Sequence, residues 1–155
     1  MSSCLLGKNG GSMDGMTSVQ QLHAQILQHL QTLKRELDRL TVRESALERC
    51  RQAIVVQKHS DGTDEENEAF DEIIASVDDI EYDLATFKDQ LRERMTHVER
   101  GLRLVSVHSD DKNAGMLHQY ILEGAALCTR DAAAARAGYD ELIANVKEMT
   151  QLRDS

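Results

Sequence analysis

Residues 64–107 read DEENEAFDEIIASVDDIEYDLATFKDQLRERMTHVERGLRLVSV, and the spacing of their apolar side chains decides the fold. Phe70, Ile73, Val77, Ile80, Leu84, Phe87 and Leu91 recur at alternating steps of three and four. That spacing gathers them into one stripe along a helix, to be buried against partner helices. Past Leu91 the stripe steps by four to Met95 and resumes through Val98, Leu102 and Val105. The slip is a four-residue stutter, which locally unwinds a supercoil without ending the helix. A seam of this length needs partners.

On the N-terminal side, Val19, Leu22, Ile26, Leu30, Leu33, Leu37 and Leu40 repeat the pattern, continuing more weakly through Leu47 and Ile54. They predict a first helix over 18–59. Glu44 and Arg51 fall on its seam where leucine is expected, so each must face solvent in part or find a charged partner elsewhere. His59 to Gly62 breaks the helix. Thr63 and Glu66 then have the spacing of a capping box, and Asp64 and Glu65 place negative charge at the positive end of a helix dipole. The second helix is predicted over 64–107.

On the C-terminal side, Ser109 to Gly115 supplies another break and capping residues for a third helix over 112–152. Its stripe is Leu117, Ile121, Cys128, Ala132, Ala135, Tyr139, Leu142, Val146 and Met149. The middle of that stripe is small, which allows close backbone approach but buries little area. The third helix is therefore the expected docking element, with Leu117, Ile121, Leu142, Val146 and Met149 as its interaction residues. Residues 1–17, with Gly7, Gly10, Gly11 and Gly15 among serines, read as a flexible tail with little to bury. The fold class expected is all-α: an elongated antiparallel helical bundle or coiled coil of three long helices over 18–155, with a disordered N-terminal tail.

Charge supports the antiparallel arrangement. Residues 18–60 hold seven bases (Lys34, Arg35, Arg39, Arg43, Arg49, Arg51, Lys58) against four acids, whereas residues 61–93 hold thirteen acids against Lys88 and Arg92. A turn near Asp61 lays the acidic half along the basic half, bringing Arg43, Arg49 and Arg51 opposite Glu72 to Asp83. Exposed pairs contribute only ~0.2–1 kcal/mol each, so they select the register while apolar burial stabilises it. Because the acidic block has this complement inside the chain, an outside partner for it is not expected.

Composition excludes several classes. The 155 residues contain no proline, no tryptophan and 3% aromatics, which suits long helices and poorly suits sheets. A net charge of −9 argues against nucleic-acid binding and against anionic membranes. Cys4, Cys50 and Cys128 form no CxxC and no paired framework, and no apolar run approaches the ~20 residues of a membrane span, so no integral membrane segment is expected and the chain reads as cytoplasmic. The plan of three long helices resembles that of spectrin-type repeats in architecture, without the tryptophan typical of them.

No motif names a reaction. From Asp61, the residues Thr63, Glu65, Asn67 and Glu72 mimic a calcium loop, but Glu66 occupies the position where a glycine must make the turn. Glu93 and His97 share a helix face, yet the chain has no Glu-x-x-His pair of the kind that builds di-metal bundles. His118-Gln-Tyr-Ile-Leu-Glu-Gly124 lacks the lysine of a phosphotransfer helix. No metal and no cofactor is expected. The chain reads as a non-enzymatic protein–protein interaction module, a coiled-coil structural or adaptor subunit of a larger intracellular complex of the trafficking or cytoskeletal kind, whose partners are other helical proteins or itself. The alternative is a small helical-bundle enzyme or carrier with a site in the bundle core, for which a buried His97 or Glu93 is the discriminating feature.

Overall fold

In the computed structural model the described residues are 11–58, 62–107 and 112–154, with side chains described over 19–58, 62–107 and 112–151. They form three helices, α1 (Gly11–Lys58), α2 (Asp64–Val107) and α3 (Ala114–Asp154), and no strand among the described residues. Of the tail expected over 1–17, residues 1–10 lie outside the described residues, and 11–17 belong to the helical backbone of α1. The second helix begins as its capping residues require: the Glu66 amide donates to the Thr63 hydroxyl at 3.2 Å, and the Asn67 amide to the Thr63 carbonyl at 3.0 Å. Of the segment that mimics a calcium loop, Asp61 lies outside the described residues, and the stretch up to Glu72 is helical from Asp64 on. At the start of α3 the Leu117 amide reaches the Asn113 carbonyl at 3.0 Å.

The chain divides into two compact units, each built from a part of every helix. Unit 1 comprises Met1–Lys34 and Arg92–Asp131. Its core holds Ile26, Leu30 and Leu33 of α1, Met95, Val98, Leu102 and Val105 of α2, and Ala114, His118, Ala125 and Cys128 of α3. Unit 2 comprises Arg35–Leu91 and Ala132–Ser155. Its core holds Leu40, Leu47 and Ile54 of α1, Phe70, Ile73, Val77, Leu84 and Leu91 of α2, and Ala132, Ile143 and Val146 of α3. Of the seam residues read from the spacing on α1 and α2, Val19, Leu22, Leu37, Ile80 and Phe87 are half-buried and the rest lie in these cores. Each fully buried leucine or isoleucine adds about 1.5–3 kcal/mol, so these rows supply most of the stabilisation.

Helix direction follows from the cross-links within each unit. In unit 2, α1 pairs with α2 through Glu44–Lys88, Arg51–Asp78 and Lys58–Asp71, so residue numbers rise on one helix as they fall on the other. The hairpin is therefore antiparallel. Contacts between α1 and α3 run in step instead: Arg136 to Glu36 and Arg43 to Asp140 in unit 2, and His29 to Thr129 in unit 1. These two helices are parallel and α2 opposes both.

Two details differ from the spacing. The stutter is taken at Phe87 and Lys88 rather than past Leu91: Phe87 is half-buried, while Lys88 is 6% exposed with its amine 2.5 Å from Glu44. The seam residue Glu44 has drawn a lysine into the position that a hydrophobe would take. In α3, the expected stripe residues Leu117, Leu142 and Met149 stand 41%, 41% and 40% exposed, and His118 and Ile143 are buried beside them. The small middle of this helix leaves apolar residues on two adjacent faces, and packing against both α1 and α2 selects a line between them.

The Glu44–Lys88 register makes a direct prediction. In a chain whose own cysteines are replaced, Glu44→Cys with Lys88→Cys forms an intramolecular cross-link at the mass of one chain under a short bifunctional reagent. Exclusive cross-linking between chains would contradict the hairpin. Leu84→Ala, at a site with no exposure, lowers stability by about 2–5 kcal/mol in urea unfolding, while Leu104→Ala, 65% exposed, changes it by less than ~0.5 kcal/mol.

Candidate functional site

In unit 2 the polar side chains sort by the helix they face. Glu36, 3% exposed, receives Arg136 from α3 at 2.6 Å through Nε and 3.3 Å through Nη2, with Arg39 at 3.5 Å. A buried carboxylate survives only when paired in this way. Arg43 donates to both oxygens of Asp140, at 2.7 and 3.1 Å, rather than to the acidic block of α2 as its sequence position suggests. That hydrogen bond holds the Asp140 carboxyl below the usual carboxylate range. Because the folded pKa is lowered, the stabilisation is present above the unfolded value near ~4 and fades as the pH falls through the folded one, and solvent keeps it small. Arg51 meets α2 as expected, at 2.9 Å from Asp78 and against Glu81. Arg49, also expected there, instead lines a groove with Cys50 and Lys147.

These ion pairs tie down the α1-facing side of α2 and α3 in unit 2, and a different surface lies where α2 meets α3. There Ala135, Gly138, Tyr139, Leu142 and Asn145 of α3 line a groove with Asp83 of α2 and Glu141. A side chain built on Gly138 would meet nothing within 4 Å. Burial, with the Asp83 carboxylate beside it, pushes the Tyr139 hydroxyl above its ordinary pKa.

Unit 1 carries a second groove between the same two helices, lined by His97, Val98, Tyr120, Ile121, Glu123, Gly124 and Leu127. Gly124 again has nothing within 4 Å of a Cβ, so the groove is open over Val98 and Ile121. Tyr120 and Leu127 of its lining are 77% and 43% exposed. Elsewhere in unit 1, Met116, one turn before Tyr120 on α3, is 72% exposed and Leu104 of α2 is 65% exposed. The Ile121 side chain packs against α2, 3.2 Å from where a Cβ on Gly101 would stand.

The interaction residues read from the sequence divide between the two units. Leu117 and Ile121 lie in unit 1, the latter half-buried in the groove lining; Leu142 lines the groove of unit 2, Met149 is exposed, and Val146, at 2% exposure, is committed to the core. Tyr120, Leu127 and Leu104 were missed because they lie off the stripes taken as the seams of α3 and α2; Gly124, between Tyr120 and Leu127, was the available clue. His97 and Glu93 are exposed, so neither builds a site in the core. Among the described residues the buried histidine is His118, whose Nδ1 lies 2.8 Å from the Ala114 carbonyl and whose ring sits 5.9 Å from that of His23. No group of three potential metal ligands occurs among the described residues, and no described helix is long and apolar enough to cross a membrane. No known protein family, curated protein or solved structure matches the chain.

Arg136→Met leaves the buried Glu36 without its two hydrogen bonds and with only the longer Arg39 contact, at a cost of up to about 3–5 kcal/mol, whereas Glu36→Leu combined with Arg136→Met recovers most of it. Thermal unfolding of the three chains checks this, and a single variant as stable as the double would contradict the pairing. Asp83→Asn lowers the titration midpoint of the Tyr139 hydroxyl, followed by ring carbon shifts in NMR. An unmoved midpoint would show that the two groups do not face each other.

Proposed function

We propose that this chain is a non-enzymatic protein–protein interaction module, a helical structural or adaptor subunit of a larger assembly that takes helical partners on the α2/α3 side of its units. The observation that carries the reading is the flank of the unit 1 groove. Tyr120 and Leu127 leave apolar side chains in water beside the open Gly124, and Met116 and Leu104 add exposed apolar side chains in the same unit. Single exposed hydrophobes are ordinary, but a grouped set beside a groove marks a binding surface. Met116, Tyr120, Glu123 and Leu127 follow the spacing by which one helix grips another, and tyrosine and leucine seated at such a place give an incoming helix both anchor and pocket. The polar interior fits this role too, since its ion pairs join helix to helix rather than converge on a cleft.

The test is the state of the protein at native level in its own cells. Size-exclusion chromatography with light scattering on cell extract should find the 17.4 kDa chain in a heavier assembly. Tyr120→Ser with Leu127→Ser, both at exposed positions, should release it from the assembly, weakening association tenfold or more, with a melting temperature equal to that of the unaltered chain. A lone unaltered chain, or a double variant that stays fully assembled, would overturn the proposal.

A further inference from the structure

The net charge of −9 is not spread over the molecule. Unit 2 holds twenty acids against ten bases, and unit 1 seven against eight. Within unit 2 the cations are also placed unevenly. On α2 and α3, Lys88 is turned to Glu44 of α1, Arg136 to Glu36 of α1, and Lys147 lines the groove shared with Arg49 and Cys50 of α1. Asp71, Asp78, Glu81 and Asp140 meet cations of α1. Other acids fall elsewhere. Glu72, Asp79 and Asp83 share the other face of α2 at steps of seven and four, and Glu141 and Glu148 stand one heptad apart on α3. All five are exposed. Asp83 and Glu141 are the two walls of the unit 2 groove, with Tyr139, Leu142 and Ala135 as its apolar floor and the open Gly138 between them. No cation of α2 or α3 among the described residues lines that groove. The pairs of Asp71, Asp78 and Glu81 with cations of α1 thus lie on the α1-facing half of the acidic block.

We infer that the α2/α3 groove of unit 2 seats a basic amphipathic helix of a partner protein, its apolar residues on Tyr139 and Leu142 and its lysines or arginines against Asp83, Glu141 and the acids in line with them. The inference rests on the interaction reading above and gives it a partner chemistry. A floor between two helices matches the ridge of a third, and an apolar floor left in water under an acidic rim matches a partner that is apolar on one face and basic at its edges. Complementary rim charges raise the rate of encounter and reject acidic helices, so they select the partner while the floor holds it. A simple polycation would satisfy the carboxylates and leave the floor uncovered.

The full chain, labelled with nitrogen-15, is titrated with a designed helical peptide of about 18 residues, roughly five turns, carrying leucine on one face and lysine elsewhere. Two controls accompany it: the same leucines with glutamate in place of lysine, and an oligolysine without leucines. The basic amphipathic peptide should shift the amides of Gly138, Tyr139 and Leu142. D83N with E141Q should weaken it by roughly tenfold, and raising salt from about 0.05 to 0.5 M should weaken it further. Equal binding of the glutamate peptide in this groove, equal binding of oligolysine, an unaffected double variant, or no binding of the basic peptide would each overturn the inference. Those outcomes leave the assembly measured in cell extract untouched, so the two readings fail separately.

Discussion

The structure depends on one pairing, the α1 seam of Leu40, Leu47 and Ile54 opposite the α2 seam of Val77, Leu84 and Leu91, with Glu44 and Lys88 as a polar layer inside it. Apolar rows alone would tolerate a slip of one heptad, because every heptad offers the same kind of residue. The ion pair removes that freedom: any slip buries Lys88 or strands Glu44 without its partner, at a cost of several kcal/mol. Once α1 and α2 are in register, the polar ties to α3 have fixed places to land. Arg136 reaches Glu36 and Asp140 reaches Arg43, and α3 lies parallel to α1 as a result.

This arrangement answers how a helix with an alanine-rich middle is held. Ala125, Cys128 and Ala132 are buried, and small side chains there let the backbones come close. What they lack in area is supplied by polar contacts at their ends, through His29 to Thr129 in unit 1 and Glu36 to Arg136 in unit 2. The helix that the sequence marks as the weakest contributor is thus an integral part of both cores. Its capacity to bind partners lies on the face turned from α1, where Gly124 and Gly138 leave open floors.

Much of this was legible in the spacing of apolar residues. Most of the α1 and α2 seam residues and the Thr63 cap follow from local rules, and the structure places them where the residues predict, with Glu36 and Lys88 buried beside the half-buried Leu37 and Phe87. The phase of α3 was not legible, because Leu117 and His118, or Leu142 and Ile143, offer equivalent local choices that only packing against two neighbours resolves. The partner of Arg43 was hidden for a related reason: hairpin logic considers α2 alone, and Asp140 belongs to a helix almost a hundred residues away. The grooves were least legible of all. They arise where two helices fail to cover glycines, and no single helix carries that information.

The account's central claim is that α3 belongs to the folded core and offers partners an outer face instead of being exchanged for one. Amide hydrogen exchange on the isolated full chain measures this directly. The account predicts that amides from Ala125 to Ala137 exchange as slowly as those from Val77 to Leu91. Rapid exchange across Ala125 to Ala137, with Val77 to Leu91 still protected, would contradict it and show a third helix that opens before it binds.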